Sequence, residues 1–171
     1  MNPAIILVEE KKLIGKSMRM SLEEDFSQKL WKSFMPHRHS IPDRVDDLLY
    51  NVKVFDQPFD PEQFNASTTF VKWAAVEVSQ HEDEEAADME TYLFRGGLYA
   101  MFFHHGPASG FNRTLQYIFE EWLPSSSYEL DDREHFERLT EDYHPNDPEA
   151  VEEVWVPIRS FVSRTNRLKE C

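Results

Sequence analysis

Two tryptophans stand beside carboxylates on strand-like segments. In FVKWAAVEVS, Val71, Trp73, Ala75 and Glu77 share one side, and in VEEVWVPIRS Glu153 and Trp155 share another. An indole face next to a negative charge suits a lipophilic cation, which the ring quadrupole attracts by roughly 0.5–2 kcal/mol. The carboxylate adds long-range attraction and selects against neutral guests. The opposite sides are aliphatic rows built around Ala74, Val76 and Val78 and around Val154, Val156 and Ile158, the pattern of a core face. A bland alternative stands beside this one: the tryptophans cover a twisted sheet while Glu77 and Glu153 face water.

A third strand sharpens the question. GGLYAMFFHHGP (96–107) puts Leu98, Ala100 and Phe102 on one side and Tyr99, Met101 and Phe103 on the other, so neither side is polar. An antiparallel strand with one wet face alternates apolar and polar residues. Something must cover the second side.

The elements that position these residues follow from periodicity. KKLIGKSMRMS (11–21) predicts a strand after a loose N-terminus. EEDFSQKLWKSFMPHR predicts an amphipathic helix, with Phe26, Leu30 and Phe34 in line, Ser21 as N-cap and Glu24 completing a capping box. LLYNVKVFD (48–56) and TTFVKWAAVEVS (68–79) are strands joined by a Pro-rich connection. In the second half TYLFRGGLYAMFFHH is a strand with a bulge or kink at Gly96-Gly97. GFNRTLQYIFEEWLP is a helix, HFERL a short strand and VEEVWVPIRSFV another. Setting Pro36 against Pro124 aligns Leu30 with Ile118, Trp31 with Phe119 and Phe34 with Trp122. The order is βαββ twice, about 11–80 and 89–160, with a polar tail over 161–171, in one domain spanning 1–171. The expected fold class is α+β: a duplicated βαββ unit forming a mostly antiparallel sheet, both helices on one face and a ligand groove on the other.

Composition narrows the partners. Acidic residues outnumber basic ones 32 to 18, and the net charge of -14 repels phosphate backbones, which argues against direct nucleic-acid binding. The lone cysteine, Cys171, forms no internal disulfide. IILV (5–8) is too short for a signal or membrane segment, so a cytoplasmic protein of bacterial style is expected. No metal or cofactor is expected. HEDEEAADME (81–90) reads as a solvated acidic loop, since it lacks a calcium-loop glycine. His104 and His105 point to opposite sides of a strand, and His37 and His39 suit a helix end. Ser125–Ser127 lack a nucleophile elbow, and Gly96-Gly97 lacks a phosphate-binding lysine and helix.

Four segments, GLYAMFFHHGP, EEWLP, SSYELDDREHFERL and EVWVPI, occur in an order and spacing that resemble the GyrI-like effector-binding domain. That family comprises gyrase-inhibitory proteins and the ligand-binding parts of AraC- and MerR-type regulators. KKLIGKSM and WAAVEVS match it more loosely. The resemblance implies a duplicated βαββ fold that binds lipophilic, often cationic aromatic molecules in a groove between its halves. It also implies that Glu137, in HFERL, is the buried acid facing the guest, and that Trp155 and Tyr99 are its aromatic neighbours. Leu139 stands where the family often has tyrosine, which alters one wall, and the 56–67 connection is longer than the minimal pattern. No helix-turn-helix precedes Lys11, so a stand-alone binder that sequesters or senses its guest is expected. The guest is expected against Trp73, Tyr99, Phe103, Glu137 and Trp155, with Tyr50 and Glu77 completing the site. Two alternatives remain: Glu137 acts as general acid–base in hydrolysis of the guest, as the resemblance implies for some members, or the apolar face binds a gyrase-type partner or a second copy of the chain.

Overall fold

The computed structural model describes residues 1–80 and 88–161; most of the acidic run and most of the polar tail lie outside them. Among the described residues nine strands form: β1 (Ala4–Val8), β2 (Lys11–Met20), β3 (Leu49–Phe55), β4 (Phe70–Val78), β5 (Glu90–Phe94), β6 (Gly97–His105), β7 (Tyr128–Leu130), β8 (His135–Leu139) and β9 (Val151–Ser160). Helix α1 spans Ser27–Phe34 and runs into a 3-10 turn at Met35–Ser40. Helix α2 spans Phe111–Gln116 and continues through a π-helical stretch, Tyr117–Trp122.

All pairings are antiparallel, in the order β1-β6-β9-β8-β3-β4-β2-β5, with β7 also on β9. About the central β3–β8 pair the order is symmetric, which is consistent with a repeated βαββ unit. Register fixes the faces. Val154 lies opposite Glu137, Glu137 opposite Asn51, and Asn51 opposite Ala74, so these four share a side. Both helices cover that side. Leu30 and Phe34 of α1, one turn apart, pack with Ala74 and Val76. Ile118, Phe111 and Leu115 pack with Phe102, Val154 and Val156.

The other side does not stay open. Phe94 of β5 stacks on Tyr99 of β6 at 5.8 Å and meets Phe136 of the central β8 at 5.1 Å. In a flat sheet β5 and β6 would be six inter-strand steps apart, roughly 29 Å. The sheet therefore curls until its two ends meet over this side. Tyr50, Val52, Phe94 and Tyr99 are fully buried there, with Trp73 and Trp155 nearly so. The expected open groove opposite the helices is replaced by an aromatic core.

Three local expectations also change. Residues 4–8 are not loose but form the edge strand β1 on β6. Gly96-Gly97 is a break between two strands rather than a kink: positive φ values of 75° and 127° let the chain pass from β5 at one end of the sheet to β6 near the other. Ser21 and Glu24 do interact, the Glu24 N–H donating to Ser21 Oγ at 3.1 Å, but they close a turn ahead of α1, whose N-cap is Phe26.

Candidate functional site

Of the expected site residues, the structure gathers Tyr50, Trp73, Tyr99 and Trp155 in the aromatic core of the curled face. The cation places there are filled from within. The Arg138 guanidinium lies 5.3 Å from the Trp155 ring and Arg133 lies 4.6 Å from the Tyr99 ring. Glu153 is clamped by Arg138 at 2.6 Å and accepts from the Trp155 indole at 3.0 Å. Glu77 pairs with Lys11 at 3.2 Å and accepts from the Tyr50 hydroxyl at 3.2 Å. Phe103 is 45% exposed on the outer part of β6. Glu137 does not join them: its register with Val154 puts it on the helix-bearing side. Alternation within a five-residue strand could not reveal this, because it defines two rows without saying which meets the helices.

Around Glu137 a different constellation assembles between α1 and α2. Glu137 is 5% exposed. Lys53 of β3 places its Nζ 3.3 Å from Glu137 Oε1 and 5.5 Å from the centroid of the Phe111 ring. Lys72 of β4, in register with Lys53, donates to Ser27 Oγ at 2.6 Å. Burial, reinforced by the Lys53 charge, pushes the Lys72 ammonium down to about 8. Glu152 of β9 is buried on the same side, and burial followed by the Glu137 charge pushes its carboxyl up to about 7. The Tyr143 hydroxyl is raised to about 12 by burial and then by Glu152 and Glu137.

Three polar atoms on this side are buried without a hydrogen-bond partner among the described residues: Asn51 Oδ1, His135 Nε2 and Glu137 Oε2. Buried polar atoms are nearly always satisfied, so these three are candidates for contact with a water or a guest; Arg38 Nε, Arg44 Nε and Nη2 and Glu134 Oε2 likewise lack a hydrogen-bond partner elsewhere among the described residues. Burial holds the His135 ring neutral, its pKa lowered to about 3. Phe59, from the Pro-rich connection, packs on His135 at 4.9 Å and on Phe119 at 5.4 Å, closing one end. Beyond Phe59 a cleft of about 450 Å³ runs between Pro61 and the end of the α2 segment at Leu123 and Pro124.

Lys53, Lys72, Glu152 and Tyr143 were missed from sequence. The usable signal was Lys72, a lysine standing in an otherwise apolar row. His104 is spent structurally, with Nδ1 2.7 Å from Thr114 Oγ1 and Nε2 3.0 Å from the Pro107 carbonyl. Among the described residues no group of three or more metal-binding side chains assembles. No helix among them is long and apolar enough to cross a membrane.

A family model described as the GyrI-like small molecule binding domain matches residues 1–159. The chain belongs to this family. No curated protein matches it in sequence. Solved structures share the GyrI-like fold at low identity. SAV2435 bound to tetraphenylphosphonium has a TM-score of 0.61 at 10% identity, covering 93% of this chain and 94% of that one. The EcmrR C-terminal domain has a TM-score of 0.66 at 12% identity, covering 94% and 98%. A hydrolase from Listeria innocua has a TM-score of 0.58 at 14% identity, covering 92% of each.

Proposed function

We propose that this GyrI-like domain sequesters or senses lipophilic aromatic cations, taking them between α1 and α2 with Glu137 as the charge partner. The observation that carries this reading is the buried Glu137 carboxylate with one oxygen free of any partner among the described residues, beside Lys53, whose ammonium lies 5.5 Å from the Phe111 ring. A cation seated there gains a desolvated ion pair together with cation–π attraction. The family and the phosphonium-bound neighbour support the choice of guest class.

A thermal-shift panel of cationic, neutral and anionic aromatic compounds tests this. Tetraphenylphosphonium is expected to raise the melting temperature progressively with concentration, as mass action requires, while matched neutral and anionic compounds do not. Equal shifts for all three classes would contradict the reading.

A second reading draws support from Glu152 and Glu137. A carboxyl raised to about 7 beside an ion-paired carboxylate resembles an acid–base pair for hydrolysis of a reactive guest. Release of product from a stabilising compound favours this second reading over simple sequestration.

A further inference from the structure

Lys53 holds the place that a cationic guest would take. Its ammonium pairs with one oxygen of the same carboxylate, Glu137 Oε1 at 3.3 Å, and lies 5.5 Å from the centroid of the same Phe111 ring, so a bulky cation reaching Glu137 meets Lys53 there. Lys72 does not compete for that place, because its Nζ is engaged with Ser27 Oγ. The Lys53 side chain is 22% exposed, against 6% for Glu137. It is a long flexible stem that can carry its charge outward to water while the stem stays on apolar surface.

We infer that Lys53 is a tethered internal competitor, which a guest must displace from Glu137 and which thereby sets which cations bind. This rests on the cation-binding reading above and adds a specificity-determining residue to it. The consequence is a threshold. A small primary ammonium offers Glu137 only what Lys53 already supplies, and the tether gives Lys53 a high local concentration. A bulky quaternary cation brings apolar area that the lysine lacks, and that area drives the exchange. The site therefore selects on lipophilic bulk, with charge as a requirement rather than the discriminator. An alternative role for the pair is purely structural; in that case removal of the lysine leaves a buried, unpaired carboxylate and costs stability without any gain in binding.

The test is calorimetric titration of the wild-type protein, Lys53→Met and Lys53→Arg with tetraphenylphosphonium, butylammonium and neutral triphenylphosphine oxide. Lys53→Met is expected to bind the phosphonium about tenfold more tightly and to acquire measurable affinity for butylammonium, with the neutral compound unaffected. Lys53→Arg is expected to stay close to the wild type. Phosphonium binding by the wild type that Lys53→Met leaves unchanged or weakens would overturn the role of Lys53 alone. Absence of phosphonium binding in all three proteins would remove the cation-binding reading and this role with it. Acetylation of the wild-type protein, read at Lys53 by mass spectrometry, does not depend on the variants folding. Lys53 is expected to become several-fold more reactive on addition of phosphonium, whereas unchanged or greater protection would contradict its displacement.

Discussion

Glu152 and Glu137 stand on the same side of neighbouring strands beneath the helices, and the charge of one adds to burial in pushing the other's carboxyl up to about 7. The folded state thus holds a proton on Glu152 that the unfolded chain releases near 4.5. Its stabilising contribution is complete below about 4.5 and is lost as pH rises through about 7. Glu152→Gln keeps a neutral side chain at every pH. It is expected to be more stable than the wild type at pH 8 by on the order of 2 kcal/mol and to match it near pH 4.5, as read by urea unfolding.

His135 works in the opposite direction. Burial, then the Lys53 and Arg133 charges, hold its pKa down to about 3, while the unfolded ring protonates near 6.5. Stability from this residue is present above about 6.5 and is lost as pH falls toward 3. His135→Phe is expected to flatten the acid limb of the stability curve. Between pH 4.5 and 6.5 the two residues offset each other, so the wild type should vary little there. Each single variant should expose the slope of the residue that remains.

The aromatic core of the curled face supplies a prediction that separates packing from binding. Trp155 is stacked on Phe136 at 5.3 Å and lies 6.2 Å from Tyr99. Trp155→Ala is expected to cost about 3–5 kcal/mol in denaturant unfolding, as truncation of a buried aromatic does. At low denaturant, where it is still folded, it should bind tetraphenylphosphonium within about threefold of the wild type, because its ring faces away from Glu137.

The break at Gly97 is a fold-level check. A Cβ at this position, with φ of 127°, would meet the Arg133 guanidinium at 2.5 Å. That guanidinium donates to the carbonyls of Gly96, Leu98 and Ile158, tying the start of β6 to β9. Gly97→Ala is expected to lower stability by about 1–3 kcal/mol through backbone strain alone, and more if Arg133 is dislodged. Thermal unfolding reads the loss.

Most elements of this fold are legible in the sequence because each is local. Leu30 and Phe34 announce α1, and Val154, Val156 and Ile158 announce the core row of β9. The face that carries Glu137 was not legible, for a reason visible in β8. His135, Glu137 and Leu139 form one row and Phe136 and Arg138 the other, and only pairing with Asn51 and Val154 shows which row meets the helices. The resemblance to the GyrI-like family singled out Glu137, yet grouped it with Tyr99 and Trp155, which stand on the opposite side. The curl that brings Phe94 to Tyr99 depends on twist accumulated over many strands, which no short segment encodes. Strand β1 escaped notice because Ile5 and Leu7 of this edge strand are exposed, so no alternation marks a buried side.

The central claim is that Glu137, beneath the two helices, is the charge partner of a lipophilic cation. Calorimetric titration of wild-type protein and Glu137→Gln with tetraphenylphosphonium and with neutral triphenylphosphine oxide tests it most directly. Glu137→Gln is expected to lose tenfold or more in phosphonium affinity, roughly 1.4 kcal/mol or above, and to keep its affinity for the neutral compound. Equal losses for both compounds, or unchanged phosphonium binding in a folded Glu137→Gln protein, would contradict it.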